Sequence, residues 1–180
     1  MNELKVLSYD LRKHVVDMII AGKGGHIGGD MSVMEILVEL YMKQMNISPE
    51  NKDSDNRDRF VLSKGHSVES YYAVLAKKGF FPMEEVISTF SQFGSKFIGH
   101  PNNKLPGIEM NSGSLGHGLP VCVGMAMAGK MDRKDYRVYV VMGDGELAEG
   151  SVWEGAMAAS HYCLDNLCAV VDRNRFRFRA

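Results

Sequence analysis

The sequence feature that most constrains the fold is a strand, loop, helix and strand pattern near the end of the chain. Residues 137–141 (Arg-Val-Tyr-Val-Val) are short, apolar and β-branched, which predicts a buried strand that ends at Gly143-Asp144-Gly145. Apolar residues then recur at helical spacing from Trp153. A second apolar run, residues 167–171, is predicted to be buried as well and closes at Asp172-Arg173-Asn174. This is a βαβ unit, which predicts an α/β fold with a parallel sheet flanked by helices.

Asp144 and Asn174 each follow one of the two predicted strands. Ligands of such sheets bind beyond the carboxyl ends of the strands, so we expect both residues at the same edge. A carboxylate and an amide oxygen suit Mg²⁺, which completes its shell with phosphate and water. The flanking glycines let the backbone approach a phosphate. A plain turn is the alternative for Gly-Asp-Gly alone, but the strands and the spacing to Asn174 favour the cation site.

The composition excludes several classes of protein. The 180 residues suit one domain, 1–180, and a formal net charge of −1 gives no reason to expect nucleic acid or an anionic membrane as partner. No apolar run is long enough to span a bilayer, and Met-Asn-Glu-Leu-Lys has no signal-peptide pattern. Cys122, Cys163 and Cys168 lie among apolar residues and predict reduced core cysteines in a cytoplasmic protein.

A glycine-rich turn surrounds His26. Apolar residues at helical spacing predict a first helix that ends near Gly22, and the segment 22–32 carries five glycines. So many glycines leave the imidazole facing open space, although they could also serve only to turn the chain. Asp30 or Ser32 is expected to cap the next helix.

A second histidine follows a short strand. Residues 60–62 (Phe-Val-Leu) predict that strand, and Lys64-Gly65-His66 leads from it into a helix. Backbone N–H groups and the helix dipole favour an anion there, and an imidazole can donate one more hydrogen bond. A capping turn is the competing interpretation. His100 lies in the long polar connection 93–112, where loops of this length are usually functional, but Gly-His-Pro alone is a weak signal.

These motifs together resemble those of a known family. Gly143-Asp144-Gly145, followed by about thirty residues and an Asn, resembles the thiamine diphosphate motif. Residues 146–154 (Glu-Leu-Ala-Glu-Gly-Ser-Val-Trp-Glu) resemble transketolases in particular. The whole chain is similar to the start of a transketolase, best to the N-terminal subunit of the two-gene form. The resemblance implies a thiamine diphosphate-binding fold, Mg²⁺, and transfer of a two-carbon ketol unit from a ketose phosphate to an aldose phosphate.

The resemblance also implies a role for individual residues. The implied metal ligands are Asp144, Asn174 and the main-chain carbonyl of Phe176. The implied cofactor contacts are His66, Gly113, Ser114, Leu115, Gly145 and Asn174. The implied catalytic residues are His26 and His100, which face the sugar, and Glu149, which supports an activating glutamate across an interface. The chain departs from many members at Ile27, where they have Pro, and at His117, where they have Gln, so no role is assigned to His117.

The resemblance implies that the chain needs a partner. In the family the activating glutamate comes from a pyrimidine-binding domain, and nothing in this chain resembles that domain. A second copy of this chain and a C-terminal subunit are therefore expected, as a heterotetramer. Residues 175–180 (Arg-Phe-Arg-Phe-Arg-Ala) do not match the usual continuation, so the C-terminal part of the domain is expected to be missing.

Two other classes of function remain open at this point. One is another thiamine diphosphate enzyme, such as a dehydrogenase E1 component or a deoxyxylulose phosphate synthase. The segment 149–154 (Glu-Gly-Ser-Val-Trp-Glu) argues against both of these enzymes. The other is a fragment without catalytic function.

Overall fold

The computed structural model describes residues 3–174, which form a parallel sheet with helices on both faces. The helices are α1 (Glu3–Gly22), α2 (Ile27–Glu39), α3 (Val68–Lys78), α4 (Met83–Thr89), α5 (Gly118–Met131) and α6 (Gly150–His161). The strands are β1 (Arg59–Leu62), β2 (Val138–Gly143) and β3 (Leu167–Asp172). A π-helical turn, Leu40–Gln44, extends α2, and the 3₁₀ turns Gly65–Ser67 and Gly145–Ala148 precede α3 and α6.

The sheet has the order β1-β2-β3, and both strand pairs are parallel. Because successive side chains of a strand point to opposite faces, alternate residues enter two different cores. Tyr139 and Val141 of β2 join the core that contains residues of α1 to α4. Val138 and Val140 join the core that contains residues of α5 and α6. The predicted parallel sheet flanked by helices is confirmed.

The first helix behaves as its apolar spacing predicts. Leu11, Val15 and Met18 are buried on one side of α1, and the helix ends at Gly22. Within residues 3–174 no helix combines the length and the apolar content that crossing a membrane requires.

The prediction that residues 167–171 are fully buried was wrong. Cys168, Ala169 and Val171 of β3 are exposed. In the described part of the chain β3 pairs with β2 alone, so it lies at the edge of the sheet and lacks cover on one side. The expectation of core cysteines accordingly holds for Cys122, while Cys163 and Cys168 are exposed.

The last helix also presents apolar side chains outward. Trp153 and Met157 are 57% and 65% exposed, although their spacing correctly predicted a helix. The inward side of α6 is formed by Val152 and Gly155 instead. A Cβ at Gly155 would lie 3.3 Å from Leu119 of α5, so the glycine allows the two helices to pack closely. Val121 of α5 is also exposed.

The start of α2 differs from the expectation that Asp30 or Ser32 caps it. His26 is the residue before the helix, and its carbonyl accepts hydrogen bonds from the N–H groups of Gly29 and Asp30 at 3.1 and 3.3 Å. The two expected capping side chains bind elsewhere. Asp30 accepts from the N–H of Ser70 at 2.8 Å, and Ser32 donates to Asp172 at 2.6 Å. Long-range contacts therefore override the local capping preference.

Candidate active site

The carboxyl ends of β2 and β3 bring Asp144 and Asn174 to neighbouring positions. Gly143 stands opposite Asp172 in the parallel register. The N–H of Asp144 donates to the carbonyl of Asp172 at 3.2 Å, and the N–H of Asn174 donates to the same carbonyl at 3.1 Å. One carbonyl oxygen therefore places both residues at the same edge of the sheet, where the order of the strands predicted them.

The groups at this edge suit a hard divalent cation. Asp144 and Asn174 offer side-chain oxygens, and Mg²⁺ in proteins is typically held by one or two carboxylates together with phosphate and water. A Cβ at Gly143 or Gly145 would meet nothing within 4 Å, so the backbone on both sides of Asp144 is open to a ligand. Residues 3–174 contain no cluster of three His, Cys, Asp or Glu side chains that could hold a metal. Phe176, the third implied ligand, lies outside the described residues.

Three histidines from separate parts of the chain form a cluster. The ring centroid of His26, on the glycine turn, lies 5.5 Å from that of His66 and 6.2 Å from that of His100. His66 lies in the turn that leads into α3, and His100 lies in the connection between α4 and α5. The fold thus brings together the two histidines expected at the sugar and the one expected at the diphosphate.

His66 is the most perturbed of the three histidines. Burial, followed by the positive charge of Lys64 and the two neighbouring histidines, lowers the pKa of its imidazole to about 4. The imidazole is therefore neutral near pH 7, with one N–H to donate. A bound anion beside the ring would raise this pKa again, because it favours the protonated form.

One contact positions the backbone of His100 and another limits the position of its ring. The hydroxyl of Tyr72 donates to the carbonyls of Ile98 and His100, each at 3.1 Å. A Cβ at Gly113 would lie 3.1 Å from Cδ2 of the His100 ring, so a larger residue at 113 would push the ring away. Burial lowers the pKa of His100, and His26 adds to this effect.

The loop that contains Gly113, Ser114 and Leu115 is exposed and lies beside α6. Gly116 has φ +82°, and a Cβ there would lie 2.6 Å from Cβ of Glu149. The hydroxyl of Ser151 donates to the carbonyl of Gly116 at 2.8 Å. Glu149 is exposed next to this loop, at the start of α6. Its implied role across an interface requires such an accessible position.

Glu146 was overlooked as a site residue, yet it connects the loops of the site. Its side chain is 2% exposed, and its Oε1 accepts hydrogen bonds from the hydroxyl of Ser63 and from the N–H of Gly116. Its Oε2 accepts from the N–H of Gly143 at 3.2 Å. The Ser63 hydroxyl in turn accepts from the N–H of Gly118 at 3.1 Å. A charged residue three positions after Gly143 gives no local sign of this burial.

A second buried network links the glycine turn to β3. Lys64 Nζ lies 2.5 Å from Asp172 Oδ2, and the two side chains are 0% and 7% exposed. Lys64 also donates to the carbonyl of Gly29 at 3.1 Å, and Ser32 donates to Asp172 at 2.6 Å. The network fixes the turn that carries His26 relative to the edge that carries Asn174. Sequence reasoning missed it, because Lys64 and Asp172 are 108 residues apart.

Known proteins resemble this chain over nearly all of its length. The family model described as "Transketolase, thiamine diphosphate binding domain" matches residues 5–178. The chain is 52% identical over 174 residues to an apulose-4-phosphate transketolase subunit of Phocaeicola vulgatus, covering 97% of this chain and 62% of that protein. It is 44% identical over 154 residues to a 6-deoxy-6-sulfo-D-fructose transketolase subunit of Clostridium sp., covering 85% of this chain and 56% of that protein.

Solved structures of transketolases also resemble this chain. The transketolase of Campylobacter jejuni superposes with a TM-score of 0.88 at 32% sequence identity, covering 95% of this chain and 28% of that one. The chain spans less than two thirds of the length of the two relatives named above, 62% and 56%.

Replacing Glu146 by Ala should destabilise the protein strongly. The change leaves the hydroxyl of Ser63 and the N–H groups of Gly116 and Gly143 without their acceptor. At about 1 kcal/mol or more for each buried donor, we expect a loss of about 3 kcal/mol and a Tm lower by roughly 6–12 °C. Thermal unfolding followed by circular dichroism measures the effect. Glu154→Ala, at an exposed position of α6, is the control, and an equal Tm for both variants would contradict the role of Glu146.

The neutral state of His66 predicts a pH dependence of stability. The folded-state pKa is lowered to about 4, below the unfolded value of about 6.5. As the pH falls from about 6.5 to about 4, the unfolded chain takes up a proton that folded His66 does not, so the free energy of unfolding decreases. Urea unfolding at several pH values should show a smaller decrease for His66→Asn than for the parent. His161→Asn, at an exposed histidine of α6, should keep the parent's slope. A full slope in His66→Asn would refute the assignment.

Proposed function

The chain belongs to the transketolase family, because that family's thiamine diphosphate-binding domain matches residues 5–178. We therefore propose that the chain binds the diphosphate end of thiamine diphosphate and the metal ion beside it. The observation that carries the proposal is the position of Asp144 and Asn174 at one sheet edge, both bonded to the carbonyl of Asp172. In this proposal the chain is part of a thiamine diphosphate- and Mg²⁺-dependent transketolase.

The metal and the diphosphate occupy the edge formed by the ends of β2 and β3. Asp144 and Asn174 would hold Mg²⁺ through their side-chain oxygens, and the resemblance implies the main-chain carbonyl of Phe176 as a third protein ligand. The open backbone at Gly145 would let a phosphate oxygen come close. The N–H of Gly145 donates to Asp144 Oδ1 at 3.0 Å, so a phosphate would share or replace this bond. His66, neutral near pH 7, donates one hydrogen bond to the diphosphate. Gly113, Ser114 and Leu115 would line the ring end of the cofactor.

His26 and His100 act on the sugar. They come from separate segments of the chain, with 6.2 Å between their ring centroids. An imidazole titrates near the working pH and can move a proton to or from a sugar hydroxyl or carbonyl oxygen. The bound cofactor itself would carry the two-carbon ketol unit between substrates.

The substrates in this proposal are a ketose that carries an anionic group and an aldose phosphate. The relatives from Phocaeicola vulgatus and Clostridium sp. are named for apulose 4-phosphate and for 6-deoxy-6-sulfo-D-fructose. Both names describe ketoses with a negatively charged substituent, a phosphate in one and a sulfonate in the other. The proposal places the reaction in carbohydrate metabolism of the cytoplasm, alongside the pentose phosphate pathway.

The chain works with a second subunit. Its relatives are named as subunits, and we propose a C-terminal, pyrimidine-binding subunit together with a second copy of this chain, as a heterotetramer. Exposed apolar residues on the face of α5 and α6 support a protein interface. They are Val121, Trp153 and Met157. Glu149 lies at the start of α6 and can reach the activating glutamate of the partner.

The metal site can be tested on this chain alone. Asp144→Ala should abolish Mg²⁺-dependent binding of thiamine diphosphate, because it removes the carboxylate that we propose holds the cation. Isothermal titration calorimetry with and without Mg²⁺ measures the affinity. Asp135→Ala, at an exposed position before β2, is the matched control and should bind as the parent does. An Asp144→Ala variant that binds the cofactor as tightly as the parent would contradict the assignment of Asp144 as a metal ligand.

A further inference from the structure

Two acidic side chains are buried beneath the glycine turn that carries His26. Asp30 lies in the first turn of α2 and Glu69 in the first turn of α3, and both are 0% exposed. Their carboxyl groups lie against each other. Ionised carboxylates are rarely buried together, since each must lose its hydration and the two charges repel.

Few donors reach this pair. Asp30 Oδ1 accepts from the N–H of Ser70 at 2.8 Å, and the hydroxyl of Ser70 donates to the carbonyl of Asp30 at 2.9 Å. Within residues 3–174 no hydrogen bond of good geometry reaches Asp30 Oδ2 or either carboxyl oxygen of Glu69. The backbone N–H groups of Glu69 and His26 nevertheless lie close enough to lower the pKa of Glu69. A proton held between the two carboxyls would join two of these three oxygens, one from each residue, in a hydrogen bond.

The groups around the pair favour a single negative charge. Burial and, to a smaller extent, the charge of Glu69 together raise the pKa of Asp30 to about 8. Burial also raises the pKa of Glu69, whereas the nearby His26 lowers it. Tyr72 faces Glu69 from α3, and Ile19 of α1 closes the site with an apolar side chain.

The pair lies where it can control the spacing of two histidines. His26 immediately precedes α2, and His66 lies in the turn immediately before α3. Asp30 and Ser70 join the first turns of these two helices. Glu69 also supports the glycine turn directly, because a Cβ at Gly25 would collide with Oε1 of Glu69.

We propose that Asp30 and Glu69 share one proton and that this pair positions His26 relative to His66. The two acids are positioning residues: they touch neither substrate nor cofactor and act through the turn and the helix starts that hold the histidines. Their importance for catalysis rests on the proposed function, while the shared proton and the positioning do not.

The shared proton predicts a distinctive pH effect on the full chain. The raised pKa of Asp30 means that its contribution to stability is complete below the unfolded pKa of about 4 and is lost as the pH rises through about 8. Asp30→Asn keeps an oxygen for the N–H of Ser70 and offers an N–H to Glu69, so it imitates the protonated acid without titrating. Its Tm relative to the parent should therefore rise by roughly 10 °C between about pH 5 and pH 9.

A control variant and one contradicting outcome complete this test. Glu85→Gln, at an exposed carboxyl of α4, should show no change of its Tm difference with pH. His66 titrates at lower pH in parent and variant alike, so it cancels from the comparison. A Tm difference between Asp30→Asn and the parent that stays constant across this pH range overturns the shared proton.

Positioning is tested by the NMR resonances of the histidine rings. Glu69→Gln can still donate a hydrogen bond to Asp30, so the ring signals of His26 and His66 should stay near their parent positions. Glu69→Leu removes the hydrogen bond and should shift both signals, while the exposed His161 of α6 stays unchanged. Unshifted signals in Glu69→Leu, or equal shifts in Glu69→Gln, overturn the positioning role. Neither experiment uses cofactor or substrate, so its failure is distinguishable from failure of the proposed function.

Discussion

The arrangement of the site depends on one buried carboxyl group, that of Glu146. It accepts hydrogen bonds from groups at the end of β1, at the end of β2 and in the loop before α5, which are Ser63, Gly143 and Gly116. Backbone N–H groups that would otherwise be unpaired in the interior cost free energy, and here they are satisfied together by one side chain. The loops of the site are thus held in place by the protein itself.

Two further buried pairs of ionisable side chains lie in the same region, and each pair joins segments distant in the sequence. Lys64 and Asp172 connect the end of β1 to the end of β3, and Asp30 and Glu69 join the starts of α2 and α3. The buried cation Lys64 also helps to keep the imidazole of His66 neutral. Placing charges in the interior costs solvation free energy, so each of these contacts favours one specific arrangement of the loops.

The sequence predicted the features that depend on local pattern. Apolar runs before Gly143 and Asp172 gave two parallel strands, and their order put Asp144 and Asn174 at one edge. The prediction that β3 is buried was wrong. The exposure of Cys168 depends on which strands lie beside β3, and not on the neighbours of Cys168 in the sequence. Contacts such as that of Glu146 with Ser63, 83 residues apart, leave no periodic signal and could not be predicted.

The central claim is that this chain recognises the diphosphate end of the cofactor and leaves the pyrimidine end to a partner. Competition calorimetry on this chain in the presence of Mg²⁺ tests it most directly, with thiamine diphosphate as the ligand and inorganic pyrophosphate or unphosphorylated thiamine as competitor. The account predicts that pyrophosphate weakens the apparent affinity for thiamine diphosphate, whereas thiamine at the same concentration has no effect. Competition by thiamine without competition by pyrophosphate would contradict it.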